Sequence, residues 1–321
     1  MNVQEELLRK KIDPALTDTT LQKILGEAGF PKNSVQGYRI LTGGCWNRVI
    51  EFRDNTSGRR FVLKISPEEE NGGIKREARI LTLFSEKTGM PVPEPYLCDT
   101  SGGIIPGSFL LMERIKGSVM HQASGILGTN ERTDISREIG TYVAELHKHK
   151  DTGFGGAELP PEERAQNWPV FWLPRYDRVL RESADSGVVD RGLIVRAEKI
   201  RPFLQGLLEI GREGTLTHYD IWAGNVMIDR SEGGSTVSGF IDVSGFYADY
   251  ARELSFMLMF GLADDHMMKP YLAEHSLDDT FNLRVNIYNL KMHLKHITMY
   301  PGQLYYRRGA EECLHYIEIR I

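Results

Sequence analysis

Apolar positions in the first third of the chain switch between two periods. Residues 18–28 place Leu21, Ile24 and Leu25 on one stripe at helical spacing and predict a leading helix. Short apolar runs at 38–41 and 48–52 predict two strands, with Gly43, Gly44 and Cys45 in the turn between them. A third run, Phe61-Val62-Leu63-Lys64-Ile65, reads as a strand interrupted by one lysine. The helical period returns over 73–84, where Ile74, Ala78, Leu81 and Phe84 share a face and Glu77 lies on the same helix. Another strand at 109–112 runs into Glu113, Arg114, Ile115, Lys116 and Gly117. The strand-rich pattern ends there, dividing the chain into an N-terminal lobe, 1–113, and a C-terminal lobe, 114–321.

The second lobe is mostly helical in pattern. Ile135, Ile139, Tyr142, Val143 and Leu146 mark a helix over 133–147, closed by His147 and His149 as expected partners of the helix dipole. A dense aromatic stretch, Trp168, Phe171, Trp172 and Tyr176, reads as core or as a stacking wall for a sugar ring. Strands at 226–228 and 236–241 flank a turn at 231–235, and helices are predicted over 278–298 and 310–319. Strands gathered early and helices late predict an α+β fold.

The candidate chemistry lies around that hairpin. His218, Asp220 and Asn225 form H-x-D-x-x-x-x-N, and Asp242 ends the returning strand. This is how kinases place one carboxylate at the attacking hydroxyl and two oxygen ligands on magnesium. Asp220 would accept the hydroxyl proton, while Asn225 and Asp242 offer the oxygens a hard cation prefers. Taken singly, each of these residues reads equally as a loop hydrogen-bonding group. The upstream order of glycine turn, strand lysine and helix glutamate makes the constellation: Gly43 and Gly44 to cover phosphates, Lys64 to hold them, Glu77 to fix Lys64. No G-x-x-x-x-G-K-[ST] occurs, which disfavours a P-loop nucleotidase. Few residues separate Asp242 from the helix starting near Asp249, leaving no room for the long segment that seats a polypeptide in protein kinases, so a small hydroxyl compound is the expected acceptor.

These residues together resemble the aminoglycoside phosphotransferase group of small-molecule kinases, which also takes in choline, homoserine and ketosamine kinases. The resemblance covers roughly residues 38–260 and includes Asp249-Tyr250-Ala251-Arg252-Glu253-Leu254, similar to the family's G-D-x-x-x-D-L segment. It implies a bilobal protein-kinase-like fold and transfer of the γ-phosphoryl group of Mg-ATP to an alcohol. By the same resemblance Asp249 and Glu253 support the catalytic loop, His218 pins that loop, and Glu113 and Ile115 offer backbone groups to adenine. Two positions depart from the pattern: Tyr219 stands where the family usually has Gly, and Val243 where Trp or Pro often follows the metal Asp. A narrower similarity, to the fructosamine (ketosamine) kinase branch, lies in Gly43-Gly44-Cys45-Trp46-Asn47, in Asp220-Ile221-Trp222-Ala223-Gly224-Asn225 and in the late helix containing His293 and His296. An aminoglycoside-type acceptor is the leading expectation, a ketosamine the alternative, and a nucleotide-binding pseudokinase without turnover the competing class.

Composition narrows the setting. A formal charge of −5 over 321 residues gives no bulk attraction to nucleic acid. The three cysteines, Cys45, Cys98 and Cys313, are too scattered for a disulfide framework, and no apolar run has membrane-spanning length, so a reduced, cytoplasmic protein is expected. The acidic residues Asp264, Asp265, Glu274, Asp278 and Asp279 read as a solvated face or as the lining of a site for a cationic acceptor.

Overall fold

The computed structural model of the protein describes residues 8–41, 47–67, 72–231 and 233–321. The chain forms two compact units: one holds the residues up to Gly117 together with Ser238–Val243, the other holds Ser118–Val237 and Ser244–Ile321. The division therefore falls at Gly117 rather than Glu113, and a short segment far along the sequence joins the first unit. Gly239 accounts for that segment. A Cβ there would stand 2.5 Å from the Ile115 side chain, and the next amide, of Phe240, donates to the Pro91 carbonyl at 2.8 Å.

The first unit is built on an antiparallel sheet of five strands, β1 (Val35–Ile40), β2 (Arg48–Asp54), β3 (Arg60–Ser66), β4 (Pro95–Asp99) and β5 (Ser108–Glu113), ordered β1-β2-β3-β5-β4. Strand β4 escaped the sequence reading because Pro95 and Asp99 break its apolar pattern; it pairs with β5 at the sheet edge, where a proline costs no ladder bond. Alternation gives β3 two faces. Phe61, Leu63 and Ile65 point into a core shared with Leu21, Ile24 and Leu25 of helix α1 (Asp18–Glu27), while Lys64 points to the opposite face. Helix α2 (Gly73–Lys87) buries Ile74, Ile80, Leu81 and Phe84; Ile80 takes the place expected for Ala78. Beside the sheet, the buried carboxylate of Glu51 accepts from Arg39 at 2.9 Å and Arg114 at 3.0 Å and pairs also with Arg60, which ties the segment after β5 to β2.

The second unit consists of small sheets and long helices joined by loops. Helix α3 (Thr129–Leu146) is followed by strands β7 (Lys150–Thr152), β8 (Gly155–Gly156), β9 (Glu213–Thr217) and β12 (Phe246–Ala248), ordered β7-β9-β12-β8, after the short β6 (Ser118–Val119). Strands β10 (Val226–Ser231) and β11 (Gly234–Phe240) form the hairpin read from the sequence, with β6 beside β10. The aromatic stretch is helix α4 (Trp168–Asp185), with Asn167 as its N-cap and Pro169 in its first turn. Trp168 and Trp172 are fully buried and Trp168 Nε1 donates to the Tyr288 hydroxyl at 2.8 Å, so these rings are core. Helices α5 (Arg191–Ile200), α6 (Tyr250–Met259), α7 (Asp265–Glu274), α8 (Phe281–Met299) and α9 (Leu304–Glu318) complete the unit, beside two helices of a single turn.

Among the described residues, no helix is long and apolar enough to cross a membrane. Phe61 is the centre of the first core, its ring 5.1 Å from Phe30 and 5.7 Å from both Phe52 and Tyr96. Phe61→Ala is expected to cost about 3–5 kcal/mol of stability; a urea midpoint shift worth less than about 1 kcal/mol would contradict this packing.

Candidate active site

In the first unit three predicted residues meet. Lys64 Nζ lies 2.8 Å from Glu77 Oε2 and 2.9 Å from Asp242 Oδ1. The side of β3 that faces α2 brings the lysine to the glutamate, and the return of residues 238–243 to this unit delivers Asp242. Burial opposes the charge on Lys64, but the Glu77 and Asp242 carboxylates outweigh it and hold the ammonium above its ordinary value. Burial pushes the Glu77 carboxyl up against the pull of Lys64. Lys64 and Glu77 are nearly enclosed, whereas the Asp242 side chain is 54% exposed and open to a ligand. Gly43, Gly44 and Cys45 lie outside the described residues.

The second unit holds the H-x-D-x-x-x-x-N loop, which starts where β9 ends. Glu253, fully buried on α6, accepts from the His218 amide at 3.2 Å, the Tyr219 amide at 2.5 Å and His147 Nε2 at 3.0 Å. Burial alone would raise its pKa, but His147, His218 and the Tyr219 amide more than offset this and hold the carboxyl below its usual range. The His218 carbonyl accepts from the Ser244 and Gly245 amides, and its Nδ1 accepts from the Asp220 amide at 3.3 Å. His218 thus pins the loop through both backbone and ring. Asn225 Nδ2 donates to the Asp220 carbonyl at 2.9 Å and to Asp220 Oδ2 at 3.0 Å, so the two residues five apart in sequence meet side chain to side chain.

Backbone strain marks the same places. Among the described residues only Tyr219, at φ 76°, and Asp242, at φ 56°, adopt positive φ without being glycine. Such residues cost roughly 1–3 kcal/mol each and persist only where their surroundings over-determine them. Tyr219 occupies the left-handed conformation that explains glycine as the usual residue there. Its ring is held instead by Phe246, 4.6 Å away, and by Arg252, whose guanidinium carbon lies 4.2 Å above it. Gly224 has a steric reason: a Cβ there would fall 2.3 Å from the Trp222 ring.

Asp249 is the N-cap of α6 and accepts from the Ala251 amide at 3.0 Å, Arg284 Nε at 2.7 Å and the Tyr288 hydroxyl at 2.5 Å, all buried. Burial opposes the charge on Arg284, but Asp278 and Asp249 outweigh it and keep the guanidinium ionised. The sequence reading missed Arg284, whose signal is its place in the buried stripe Phe281, Arg284, Tyr288. It also placed His147 as a helix-end dipole partner. His147 is instead buried between Glu253 and Tyr271, because it continues the inward stripe of Ile139 and Val143. The acidic run is likewise engaged: Asp264 caps α7 through the Met267 amide, Glu274 lies 3.2 Å from Lys148, and Asp278 pairs with Arg284 at 2.8 Å.

Glu113 ends β5 and Ile115 lies two residues beyond it. The Glu113 amide donates to the Glu94 carbonyl at 2.8 Å and the Ile115 carbonyl accepts from Arg114.

A β-rich unit carrying the Lys–Glu–Asp cluster and a helical unit carrying the pinned H-x-D-x-x-x-x-N loop define a protein-kinase-like phosphotransferase. Residues 37–277 match the model of the phosphotransferase enzyme family APH, and the chain belongs to that family. It is 25% identical over 276 residues to the probable ketoamine kinase of Enterococcus faecium, covering 83% of this chain and 90% of that protein. Ketosamine-3-kinase of Mus musculus is 27% identical over 306 residues, covering 87% and 93%. The crystal structure of a candidate fructosamine-3-kinase from Thermobifida fusca superposes with a TM-score of 0.72 at 20% identity, covering 94% of this chain and 99% of that one. The relatives by sequence are named for ketoamines, where an aminoglycoside-type acceptor was the leading expectation.

The Glu253 cluster predicts an acid-sensitive contribution to stability. The folded pKa lies below the ordinary value of 4.5, so this contribution is complete above that pH and is lost as pH falls through the depressed folded value. Glu253→Gln is expected to lose about 3 kcal/mol at pH 7 and to fall less steeply than the parent below pH 4.5 in thermal unfolding. Parallel stability profiles for the two proteins would contradict it.

Proposed function

We propose that the protein transfers the γ-phosphoryl group of ATP to a hydroxyl of a small ketosamine. The observation that carries the phosphoryl-transfer part is the Asp220–Asn225 contact on a loop held rigid by Glu253 and His218. Asp220 accepts the proton of the acceptor hydroxyl as its oxygen bonds to the γ-phosphorus. The bond from phosphorus to the bridging oxygen breaks, and ADP leaves with the electron pair. Lys64, oriented by Glu77, holds the nucleotide phosphates, with Gly43 and Gly44 covering them. The Glu113 carbonyl and the Ile115 amide, the backbone groups not engaged in the bonds above, take the adenine edge.

The residues present suit magnesium. Both bonds of Asn225 use Nδ2 and leave Oδ1 to a cation, and Asp242 presents an exposed carboxylate. Magnesium commonly takes one or two protein oxygens together with substrate phosphates. Mg²⁺ held there would neutralise charge developing on the phosphate oxygens.

A ketosamine acceptor is favoured by the names of the relatives, and three of the five acidic residues, Asp264, Glu274 and Asp278, already serve a cap or an ion pair. The test is ADP release with fructosyl-amines against aminoglycosides. Turnover of the fructosyl-amine alone is expected; turnover of an aminoglycoside alone would reverse the acceptor, and Mg-dependent ATP binding without product from either would favour a pseudokinase. Asp220→Asn is expected to lower kcat by about a thousandfold, or about 4 kcal/mol, with ATP affinity nearly unchanged. Full activity in that variant would remove Asp220 from the chemistry.

A further inference from the structure

The second unit contains a group of cations with no anion to match them. Arg252 on α6 is 4% exposed, yet its Nε and Nη1 have no hydrogen-bond partner. Its guanidinium lies between two rings, 4.2 Å from Tyr219 and 5.2 Å from Phe256, contacts that stabilise a cation without satisfying its N–H groups. Lys291 on α8 has its ammonium 5.9 Å from the centre of the Trp172 ring. Arg175 on α4 lies 3.6 Å over the Phe171 ring, and its Nη1 donates to the Phe171 carbonyl at 2.5 Å. Among the described residues, no carboxylate lies within ion-pair distance of Arg175, Arg252 or Lys291. Burial, followed by the like charges of Arg252, Lys295, Arg175 and Arg178, holds the Lys291 ammonium down to about 7.

Two neutral donors share the place. Trp172 Nε1 and the Tyr219 hydroxyl are both buried without a partner. A buried donor left unsatisfied costs roughly 1–3 kcal/mol, and more when it is charged, so orphans concentrated at one spot are expected where a ligand completes the set. Arg252 Nε and Nη1 can only donate, the Tyr219 hydroxyl can donate, and the three ionisable groups are basic, which suits an anion with several acceptor oxygens. Tyr219 precedes Asp220, and adjacent Cα atoms stand about 3.8 Å apart, so the cluster is attached to the loop that carries the proposed base.

We infer that Arg252, Lys291 and Arg175, with the Tyr219 hydroxyl, form an acceptor subsite for a carboxylate, making the substrate a ketosamine of a free amino acid. A ketosamine on a protein lysine side chain has no such carboxylate beside its amine. The sugar part of this inference rests on the function proposed above, while the anion part does not.

The experiment has two arms. In the first, the paired acceptors fructosyl-glycine and fructosyl-glycinamide differ only in the carboxylate, and are compared at fixed ionic strength. The parent is expected to show a KM for fructosyl-glycine at least about tenfold below that for the amide. In Lys291→Gln and Arg175→Gln the ratio of the two KM values is expected to collapse toward one. A merely structural role would raise both values and leave the ratio. A parent that does not discriminate, or a ratio preserved in both variants, overturns the subsite. In the second arm, inorganic phosphate without nucleotide is expected to raise the Tm of the parent by a few degrees over chloride of equal ionic strength, and to lose this effect in both variants. No rise, or a rise unchanged in the variants, overturns the anion site. If neither ketosamine is phosphorylated while phosphate stabilisation is present in the parent and lost in the variants, the ketosamine reading fails and the anion site stands.

Discussion

One buried carboxylate organises the catalytic loop. Glu253, fully buried, draws the amides of His218 and Tyr219 and the ring of His147 onto itself. A charge in that position is tolerable only because three donors converge on it, and for the same reason the donors cannot relax without stranding the charge. The left-handed backbone of Tyr219 is the visible cost. In that conformation its amide donates to Glu253, and its ring contacts Phe246 and Arg252. Asp220 follows immediately, so its placement is inherited from a carboxylate that takes no part in the chemistry.

Four residues earlier on the same helix, Asp249 does the equivalent for the helix itself. It caps the N-terminus, where a negative charge is favoured by the helix dipole, and anchors Arg284 and Tyr288 of α8. The two acids one turn apart therefore divide the work: one holds the loop to the helix, the other holds the helix to its neighbours. The unpaired cations of Arg175, Arg252 and Lys291 contrast with this. Where the unit needs rigidity its charges are matched, and where the acceptor is proposed to bind they are not.

In the first unit the same principle appears with mixed sign. Lys64 is enclosed with two carboxylates, one buried and one largely exposed. Neutrality of that cluster needs one further positive charge, which is consistent with Asp242 serving a cation in the proposed reaction.

Much of this was legible from the chain alone. Periodicity gave the strands around Lys64 and the helix of Glu77, and local spacing gave the Asp220–Asn225 loop, because an element's face and a five-residue loop depend on near neighbours only. The helix at 168–185 was not assigned, although Trp168, Phe171, Trp172 and Tyr176 fall on one helical face, because Pro169 and Pro174 read locally as helix breakers. The buried roles of His147 and Arg284 depend on partners more than thirty residues away, Glu253 for one and Asp249 for the other. No local pattern distinguishes such a residue from a solvated one. The same holds for Asp264, Glu274 and Asp278 of the acidic run, which serve a cap and two ion pairs, and for the cation cluster, assembled from α4, α6, α8 and the loop. The sequence by itself determined which side chains could do phosphoryl-transfer chemistry; only tertiary structure decided which charges are matched, because desolvation and pairing arise from residues brought together by folding.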